Sequence, residues 1–374
     1  MTELEARRRM LALDGIRGIA VLLVLAHNFD VLGGPLSRVG TLLDRLMDGG
    51  WLGVQIFFVL SGFLITGILL DGRREAHYYR SFMVRRVLRI FPLYYAVLCA
   101  TFVVVPLVTG HAVAGHEHQA WLWTYTSNWA EPFGREVPLF PHFWSLAIEE
   151  QFYLAWPFIV RVLSPRSLMR FCVGLAVAAL LSRIALRAAG LGSAGPYMFT
   201  ICRVDALALG AIAAILFRSP HVVAVLSARR GLFRGLTLGL ILVTVLMSHG
   251  APRTGLLMQT VGYSAFAVTF AALVLDAALS SHDEPDALGR VLRLAPLRSV
   301  GKYSYAMYVF HTPLHRLVGL PLLARITAGA IGPVLGLAYF TAATVATYVA
   351  AFLSFHFLEK HFLQMKRAFE PRTA

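Results

Sequence analysis

The first apolar stretch of the chain carries two ionisable side chains, Arg17 and His27, ten positions apart. Ten residues of helix rise about 15 Å and leave the two side chains about 80° apart around the axis. A neutral imidazole inside a cavity can act as a general base, and an arginine can hold an anion. In the structural alternative, His27 hydrogen-bonds a neighbouring helix and Arg17 reaches the lipid headgroups. The residues alone leave both interpretations open.

A second apolar stretch, 143–160, contains the adjacent glutamates Glu149 and Glu150. Helical spacing places Tyr153 one turn after Glu149, whereas Glu150 points about 100° away. A carboxylate at membrane depth is expensive, so it indicates a functional site by default. The alternative is a structural ion pair of Glu149, with Arg203 as a possible partner.

Three arginines follow the apolar stretch 51–70, at positions 85, 86 and 89. Arg86 and Arg89 are three apart and therefore share a helix face. Guanidinium groups at fixed positions suit phosphates, which makes this pair a candidate site for a phosphorylated ligand. The alternative is ordinary positive charge that contacts anionic lipid on the cytoplasmic side.

Two later stretches add polar groups. Arg203 and Asp205 lie in RVDALALG, and Ser304, Tyr308 and His311 recur at i, i+4 and i+7 on one helix face. Taken alone, such residues more often pack helices together than catalyse a reaction. The sequence has no phosphate-binding glycine loop, no dinucleotide motif, no GxSxG elbow and no zinc-ligand spacing, so no metal site is predicted.

The elements that must position these residues are membrane helices. The chain of 374 residues is 57% hydrophobic and 14% charged, with a mean hydropathy of +0.66. This composition excludes an ordinary soluble domain, because too little charge is present to cover its surface. The net charge of +14 falls in short clusters between apolar stretches, which is typical of membrane topology rather than of nucleic-acid binding.

The pattern predicts an all-α, polytopic transmembrane bundle of about ten spans. The predicted spans are 16–32, 51–70, 91–109, 142–160, 169–189, 203–217, 234–249, 256–279, 299–319 and 331–357. The basic clusters predict that both termini are cytoplasmic. We expect one transmembrane domain over 1–374, in the cell membrane, without an appended soluble domain.

Six motifs in order along the chain resemble acyltransferase family 3, the integral-membrane enzymes that acylate sugars and related molecules. The motifs are LDGIRGIAVLLVLAH, WLGVQIFFVLSGFLIT, RRVLRIFP, FWSLAIEEQFYLAWP, RVDALALGA and GKYSYAMYVFH. The resemblance implies transfer of a short acyl group, often acetyl, from cytoplasmic acyl-coenzyme A to a hydroxyl. Acyl-coenzyme A is then a cosubstrate, no cofactor is bound permanently, and the acceptor is a carbohydrate or glycosylated molecule.

The resemblance also assigns roles to residues of this chain. The resemblance implies that His27, Glu149 and Arg17 are catalytic and that Arg86 and Arg89 bind the donor. The residues expected to bind substrate come instead from polar and aromatic positions of the apolar stretches, and they are Tyr153, Trp144, Arg203 and Tyr308. Many relatives space the first-span Arg and His eleven positions apart. A π-bulge between Arg17 and His27 would restore that alignment here.

Two other functions are compatible with buried His, Glu and Arg side chains. A transporter or lipid-linked sugar translocase would also carry them, although the sequence has no inverted repeat. A non-catalytic membrane receptor is the third possibility.

Overall fold

The computed structural model describes residues 3–32, 38–250, 252–280, 287–327 and 331–365, and these residues form helices and loops without a strand. The prediction of an all-α fold is therefore confirmed. The helices are α1 Glu3–Asn28, α2 Arg38–Asp48, α3 Leu52–Asp71, α4 Tyr78–Cys99, α5 Val105–Thr109, α6 Ala120–Trp123, α7 Ser127–Ala130, α8 Phe143–Val162, α9 Pro165–Ala188, α10 Ala194–Met198, α11 Thr200–Phe217, α12 Pro220–Ala228, α13 Arg230–Gly250, α14 Tyr263–Leu279, α15 Ala287–Leu292, α16 Ala295–Leu314, α17 Leu320–Ile326, α18 Pro333–Ser354 and α19 Lys360–Met365. Short π-helical segments extend some of these helices, at Ala100–Val104, Met258–Gly262, His315–Gly319 and Phe355–Glu359.

Eight helical stretches in the described residues are long and apolar enough to cross a membrane. They are Leu11–Asn28, Leu43–Asp71, Tyr78–Thr109, Pro165–Ala188, Ala194–Phe217, Arg230–Met247, Met258–Leu279 and Pro333–Met365. The fourth and ninth predicted spans also form helices, α8 and α16, of 20 residues each. Each is about 30 Å long, so length suffices, but polar side chains keep both below the apolarity of the other eight.

Local sequence explains where several helices begin and where they are interrupted. The Ser164 hydroxyl accepts the backbone N–H of Ser167 at 3.2 Å, and Pro165 occupies the first turn of α9. Pro157 and Pro313 lie inside α8 and α16. Each proline lacks an N–H, so the carbonyl four residues earlier loses its helical donor and becomes available to another group.

The chain forms two compact units. The first comprises Met1–Val24, Gly49–Asp71 and Ile159–Lys302, and the second comprises Leu25–Asp48, Gly72–Phe158 and Tyr303–Ala374, within the residues that the structure describes. Helices α1, α8 and α16 contribute residues to both units.

Close helix crossings define the first unit, where α11 packs against α3, α9 and α14. A Cβ atom built on Gly210 would lie 2.1 Å from the carbonyl oxygen of Val59, so only glycine allows α11 to approach α3 at this point. Likewise, a Cβ on Gly301 would lie 1.8 Å from the carbonyl oxygen of Asp14. The glycines of RVDALALG and GKYSY are therefore packing residues, and the second one holds α16 against the turn of α1 that carries Arg17.

Stacked aromatic rings form the core of the second unit. The ring of Tyr94 on α4 lies 4.2 Å from that of Tyr125 and 4.8 Å from that of Phe143, between centroids. The Tyr94 hydroxyl donates to the carbonyl of Leu122 at 2.8 Å. These contacts attach the loop before α8 to α4 and fix where α8 begins.

Candidate active site

His27 lies in the last turn of α1, in the part of that helix that belongs to the second unit. Its Nδ1 is 3.7 Å from Oδ1 of Asp48 at the end of α2. This distance is too long for a hydrogen bond, so the carboxylate is an electrostatic neighbour of the imidazole. Sequence reasoning missed Asp48, because an acidic residue in a short amphipathic helix carries no signal of its partner.

Arg17 lies in the first unit, and its Nη1 binds Oδ1 of Asp14 at 2.8 Å. The helix between Arg17 and His27 is a regular α-helix, without the π-bulge that would bring the two side chains onto one face. The bulge that could restore the alignment is therefore absent from this described part of α1. The ten-residue spacing leaves the two side chains about 80° apart around α1.

One face of α8 carries a polar cluster in the second unit. The Tyr153 hydroxyl donates to Oε2 of Glu149 at 3.0 Å, and the Arg86 guanidinium lies over the Tyr153 ring at 5.8 Å. Arg86 is also an electrostatic neighbour of Glu150. The structure thus brings together three predicted residues, namely a donor-binding arginine, a catalytic glutamate and a substrate-binding tyrosine.

The three arginines of α4 have different surroundings. Arg89, like Arg86, lies beside an acidic residue of the second unit, Glu359, and it also neighbours Tyr305. The Nε of Arg85 instead donates to the carbonyl of Ser81 on its own helix, at 3.0 Å. Arg86 and Arg89 are therefore the pair directed into the second unit.

A second polar cluster lies at the start of α8. The Tyr308 hydroxyl shares a hydrogen bond of 2.6 Å with Ser145, and both hydroxyls lie within reach of the His142 carbonyl, at 3.0 and 3.1 Å. The His142 ring lies 4.4 Å from the ring of His311. Trp144, in the same turn of α8, is buried. Sequence reasoning placed Tyr308 and His311 on one face but missed His142, which precedes the helical pattern.

The two clusters lie on one strip of α8. Ser145, Glu149 and Tyr153 follow one another at four-residue intervals, about 6 Å of helical rise each. The end of α1 approaches α16, because the ring of Phe29, two residues after His27, lies 6.2 Å from the ring of His311. The second unit therefore contains His27, Arg86 and Arg89 together with four predicted residues of α8 and α16, namely Trp144, Glu149, Tyr153 and Tyr308.

Tyr125, in the loop before α8, is a further residue that the sequence did not indicate. It is a non-glycine residue with a positive φ of 53°, and its buried hydroxyl has no hydrogen-bond partner in the described part of the chain. Burial raises the pKa of Tyr125, and Tyr305 and Glu150 are electrostatic neighbours that add to the rise. A neutral hydroxyl therefore sits beside the α8 cluster.

Arg203 lies in the first unit and is fully buried. Its Nη2 donates to Oε1 of Gln55 at 2.6 Å, and its guanidinium lies over the ring of Tyr263 at 4.3 Å. Asp205, two residues later, binds Arg183 at 3.0 Å. The two charges of RVDALALG thus have separate partners. An ion pair of Arg203 with Glu149 stays a prediction, as does a role for Arg203 in binding substrate.

Comparison with known proteins identifies the family of this chain. The model of a family described as an acyltransferase domain matches residues 10–356, nearly the whole chain. The chain belongs to acyltransferase family 3. No solved structure matches it.

Several relatives in this family have descriptive names. The peptidoglycan O-acetyltransferase OatA of Listeria monocytogenes is 27% identical over 379 residues, which cover 95% of this chain and 56% of the relative. A putative peptidoglycan O-acetyltransferase, YrhL, of Bacillus subtilis is 28% identical over 95% of this chain and 55% of its own length. The O-acetyltransferase OatA of Staphylococcus aureus is 25% identical over 84% and 52%. The chain spans about half the length of these relatives.

Proposed function

We propose that this chain transfers a short acyl group, in the simplest case acetyl, from acyl-coenzyme A to a hydroxyl of a carbohydrate or glycosylated acceptor. One observation carries the proposal: a single strip of α8 has the Arg86 guanidinium near one end and two imidazoles near the other. Membership of the acyltransferase family and the names of the relatives support the reaction class.

Arg86 and Arg89 are the groups suited to the phosphates of coenzyme A. Planar guanidinium groups bind phosphate oxygens in pairs, and the adjacent carboxylates of Glu150 and Glu359 hold the two side chains in the second unit. The basic clusters predict that this end of α4 is cytoplasmic, where acyl-coenzyme A is found. From there the pantetheine arm extends along the α8 strip.

His27 is the proposed general base. Its imidazole takes the proton of the acceptor hydroxyl while that oxygen forms a bond to the thioester carbonyl carbon. The carbon–sulfur bond then breaks, and the coenzyme A thiolate takes the proton back from the imidazolium. Asp48, 3.7 Å from Nδ1, stabilises the imidazolium between the two proton transfers.

The tetrahedral intermediate needs a hydrogen-bond donor for its oxyanion. The Tyr153 hydroxyl, which donates to Glu149 in the structure, is placed to supply one between the arginines and the start of α8. Glu149 holds the Tyr153 hydroxyl in place before the intermediate forms, and the hydroxyl then turns its one O–H from Glu149 to the oxyanion. In this arrangement Glu149 acts by positioning Tyr153 and not by contacting the acceptor.

The acceptor proposed is a glycan of the cell envelope. Two relatives are named as peptidoglycan O-acetyltransferases, although the chain covers little more than half of each. With both termini in the cytoplasm, the start of α8 and the end of α16 face the outer side, toward such a glycan.

The deciding experiment incubates the purified full chain in detergent with acetyl-labelled acetyl-coenzyme A. An acyltransferase passes label to a glycan acceptor, or hydrolyses the thioester when only water is present. The alternative, a transporter or translocase, leaves the thioester intact and moves substrate across vesicles instead. An intact thioester after long incubation with well-folded protein would contradict the proposal.

A further inference from the structure

His311 on α16 has one nitrogen that is satisfied and one that is not. Its Nδ1 lies 2.6 Å from the carbonyl oxygen of Tyr308, which can only accept, so Nδ1 carries the proton. In the neutral ring, Nε2 is then an acceptor. His311 is 0% exposed, and Nε2 has no hydrogen-bond partner in the described residues.

The neighbouring His142 also has ring nitrogens without hydrogen-bond partners among the described residues. It is 6% exposed, and neither ring nitrogen has a well-formed hydrogen bond within the described ranges. The carbonyl of Val309, which Pro313 deprives of its helical donor, lies beside the ring and can receive the one N–H of a neutral imidazole. The other nitrogen of His142 still requires a donor.

The surrounding side chains do not supply those donors. Phe29, Phe140 and Phe143 line the two imidazoles, at ring distances of 4.8 to 6.4 Å. The nearby hydroxyls of Tyr308 and Ser145 use their protons for each other and for the His142 carbonyl. A buried acceptor nitrogen without a donor is destabilising, which is a reason to look for a ligand at both imidazoles.

We propose that His142 and His311 form the binding site for the acceptor, in which their two acceptor nitrogens receive hydrogen bonds from neighbouring hydroxyls of a sugar. A polyol presents such donors in adjacent pairs. The two rings are 4.4 Å apart, so neighbouring hydroxyls of one polyol suit both nitrogens, whereas a ligand with a single donor suits only one. The surrounding phenylalanines suit the apolar face of a sugar ring.

The location agrees with an acceptor rather than a donor molecule. His142 lies about 16 Å of helical rise before Tyr153, which is the residue of α8 in contact with Arg86. Phosphate-binding and hydroxyl-binding groups are thus at different depths along the same strip. The inference rests on the proposed function, because it assigns the acceptor side of that reaction.

The test measures two activities of the full chain with acetyl-coenzyme A: acetyl transfer to chitotetraose, and hydrolysis of the thioester without chitotetraose. His311→Asn keeps an amide N–H at the Nδ1 position but removes Nε2. We expect the KM for chitotetraose to rise about three- to tenfold, with hydrolysis near the wild-type rate. His142→Asn has the same expected effect. His311→Gln, whose amide oxygen reaches the Nε2 position, is expected to recover part of the loss.

His356 is the matched control, because its Nδ1 also lies 2.8 Å from a carbonyl of its own helix, that of Phe352, but it is half-buried and outside the His142–His311 pair. His356→Asn is expected to keep the wild-type KM. Direct binding of chitotetraose is also measured by calorimetry. If an Asn variant does not fold, His142→Gln and His311→Gln are compared with the wild type in this binding assay instead. An unchanged KM and unchanged affinity in folded variants would overturn the inference and indicate buried water at the imidazoles. The wild-type protein could instead bind chitotetraose through these residues but neither transfer acetyl nor hydrolyse the thioester. That result would contradict the proposed function, whereas the inferred carbohydrate site would stand.

Discussion

Two buried polar pairs, one in each unit, show opposite hydrogen-bonding states. In the first unit, Arg183 and Asp205 are both 0% exposed and 3.0 Å apart, and Ser264 and the carbonyl of Thr260 add further hydrogen bonds. In the second unit, the imidazoles of His142 and His311 are equally buried, but acceptor nitrogens remain without donors in the described residues. The first pair is satisfied within the protein, whereas the second lacks donors in the described part of the chain, where we propose that the acceptor binds.

This difference distinguishes buried polar side chains that stabilise the fold of a membrane protein from buried polar side chains that serve its function. Burying a charge is tolerated where every group finds a partner, and such a pair fixes how α9, α11 and α14 meet. Burying unsatisfied acceptors stabilises nothing, so their presence points to chemistry that needs them. Substitutions in the first unit should therefore reduce folding, and those in the second should reduce activity.

The largest expected effect is on folding, from Asp205→Asn. The change leaves the Arg183 charge buried without its counterion, so we expect a loss of about 3–5 kcal/mol in the free energy of unfolding. Thermal unfolding in detergent and the yield of folded protein measure it. Asp71→Asn is the matched control, because Asp71 also pairs with an arginine, Arg218, but is 65% exposed. That change should cost less than about 1 kcal/mol. Equal stability of the two variants would remove the contrast between the pairs.

In the second unit, Glu149→Gln should reduce turnover about 100-fold while the folded yield stays near wild type. The amide keeps the shape of the side chain but cannot orient Tyr153 with a negative charge. Glu150→Gln should be milder, since Glu150 points about 100° away from the α8 strip. Acetyl transfer at matched folded yield measures both variants. Normal turnover of Glu149→Gln, or its failure to fold, would make Glu149 a structural residue.

A smaller effect is expected on donor affinity from Arg86→Lys and Arg89→Lys. Lysine keeps the charge but loses the planar fork, so each change should weaken binding of acetyl-coenzyme A about three- to tenfold by calorimetry. Arg85→Lys is the control, because Arg85 hydrogen-bonds its own helix. An unchanged affinity when Arg86 and Arg89 are both replaced by Glu would show that they only anchor α4 to lipid.

The smallest expected effect depends on pH, at Asp30 between α1 and α2. Burial raises the pKa of Asp30 above its ordinary value, and the carboxylates of Asp44 and Asp48 add to the rise. The folded protein therefore disfavours the charged form, and stability falls as the pH rises through this pKa. Asp30→Asn should raise the melting temperature slightly at neutral pH, and the gain should vanish in acid. An exposed control, Glu136→Gln, should give no gain, and a pH-independent gain for Asp30→Asn would contradict the explanation.

The sequence predicted the fold class and most helices, because apolar length alone identifies a membrane helix. Eight of the stretches meet that criterion in the structure, and α8 and α16 fall short because they carry the polar residues that made them candidates for chemistry. The sequence could not reveal the π-helical segments or the regular course of α1 between Arg17 and His27, since both depend on packing.

Within the site, the spacing of residues along one helix could be predicted from the sequence, but contacts between residues far apart in the sequence could not. The strip of Ser145, Glu149 and Tyr153 follows from helical periodicity, and the structure has it. The bond between Ser145 and Tyr308 joins residues 163 positions apart, and no local pattern predicts it. His142 was missed for the same reason.

The central claim is that the second unit carries out acyl transfer with His27 as the base. The most direct test compares the turnover of acetyl-coenzyme A by His27→Ala and His221→Ala at equal folded yield. His221 is an exposed histidine of the first unit and serves as the control. We predict that His27→Ala loses about 10²–10⁴-fold in rate, while His221→Ala keeps the wild-type rate. Full turnover by folded His27→Ala protein would contradict the account.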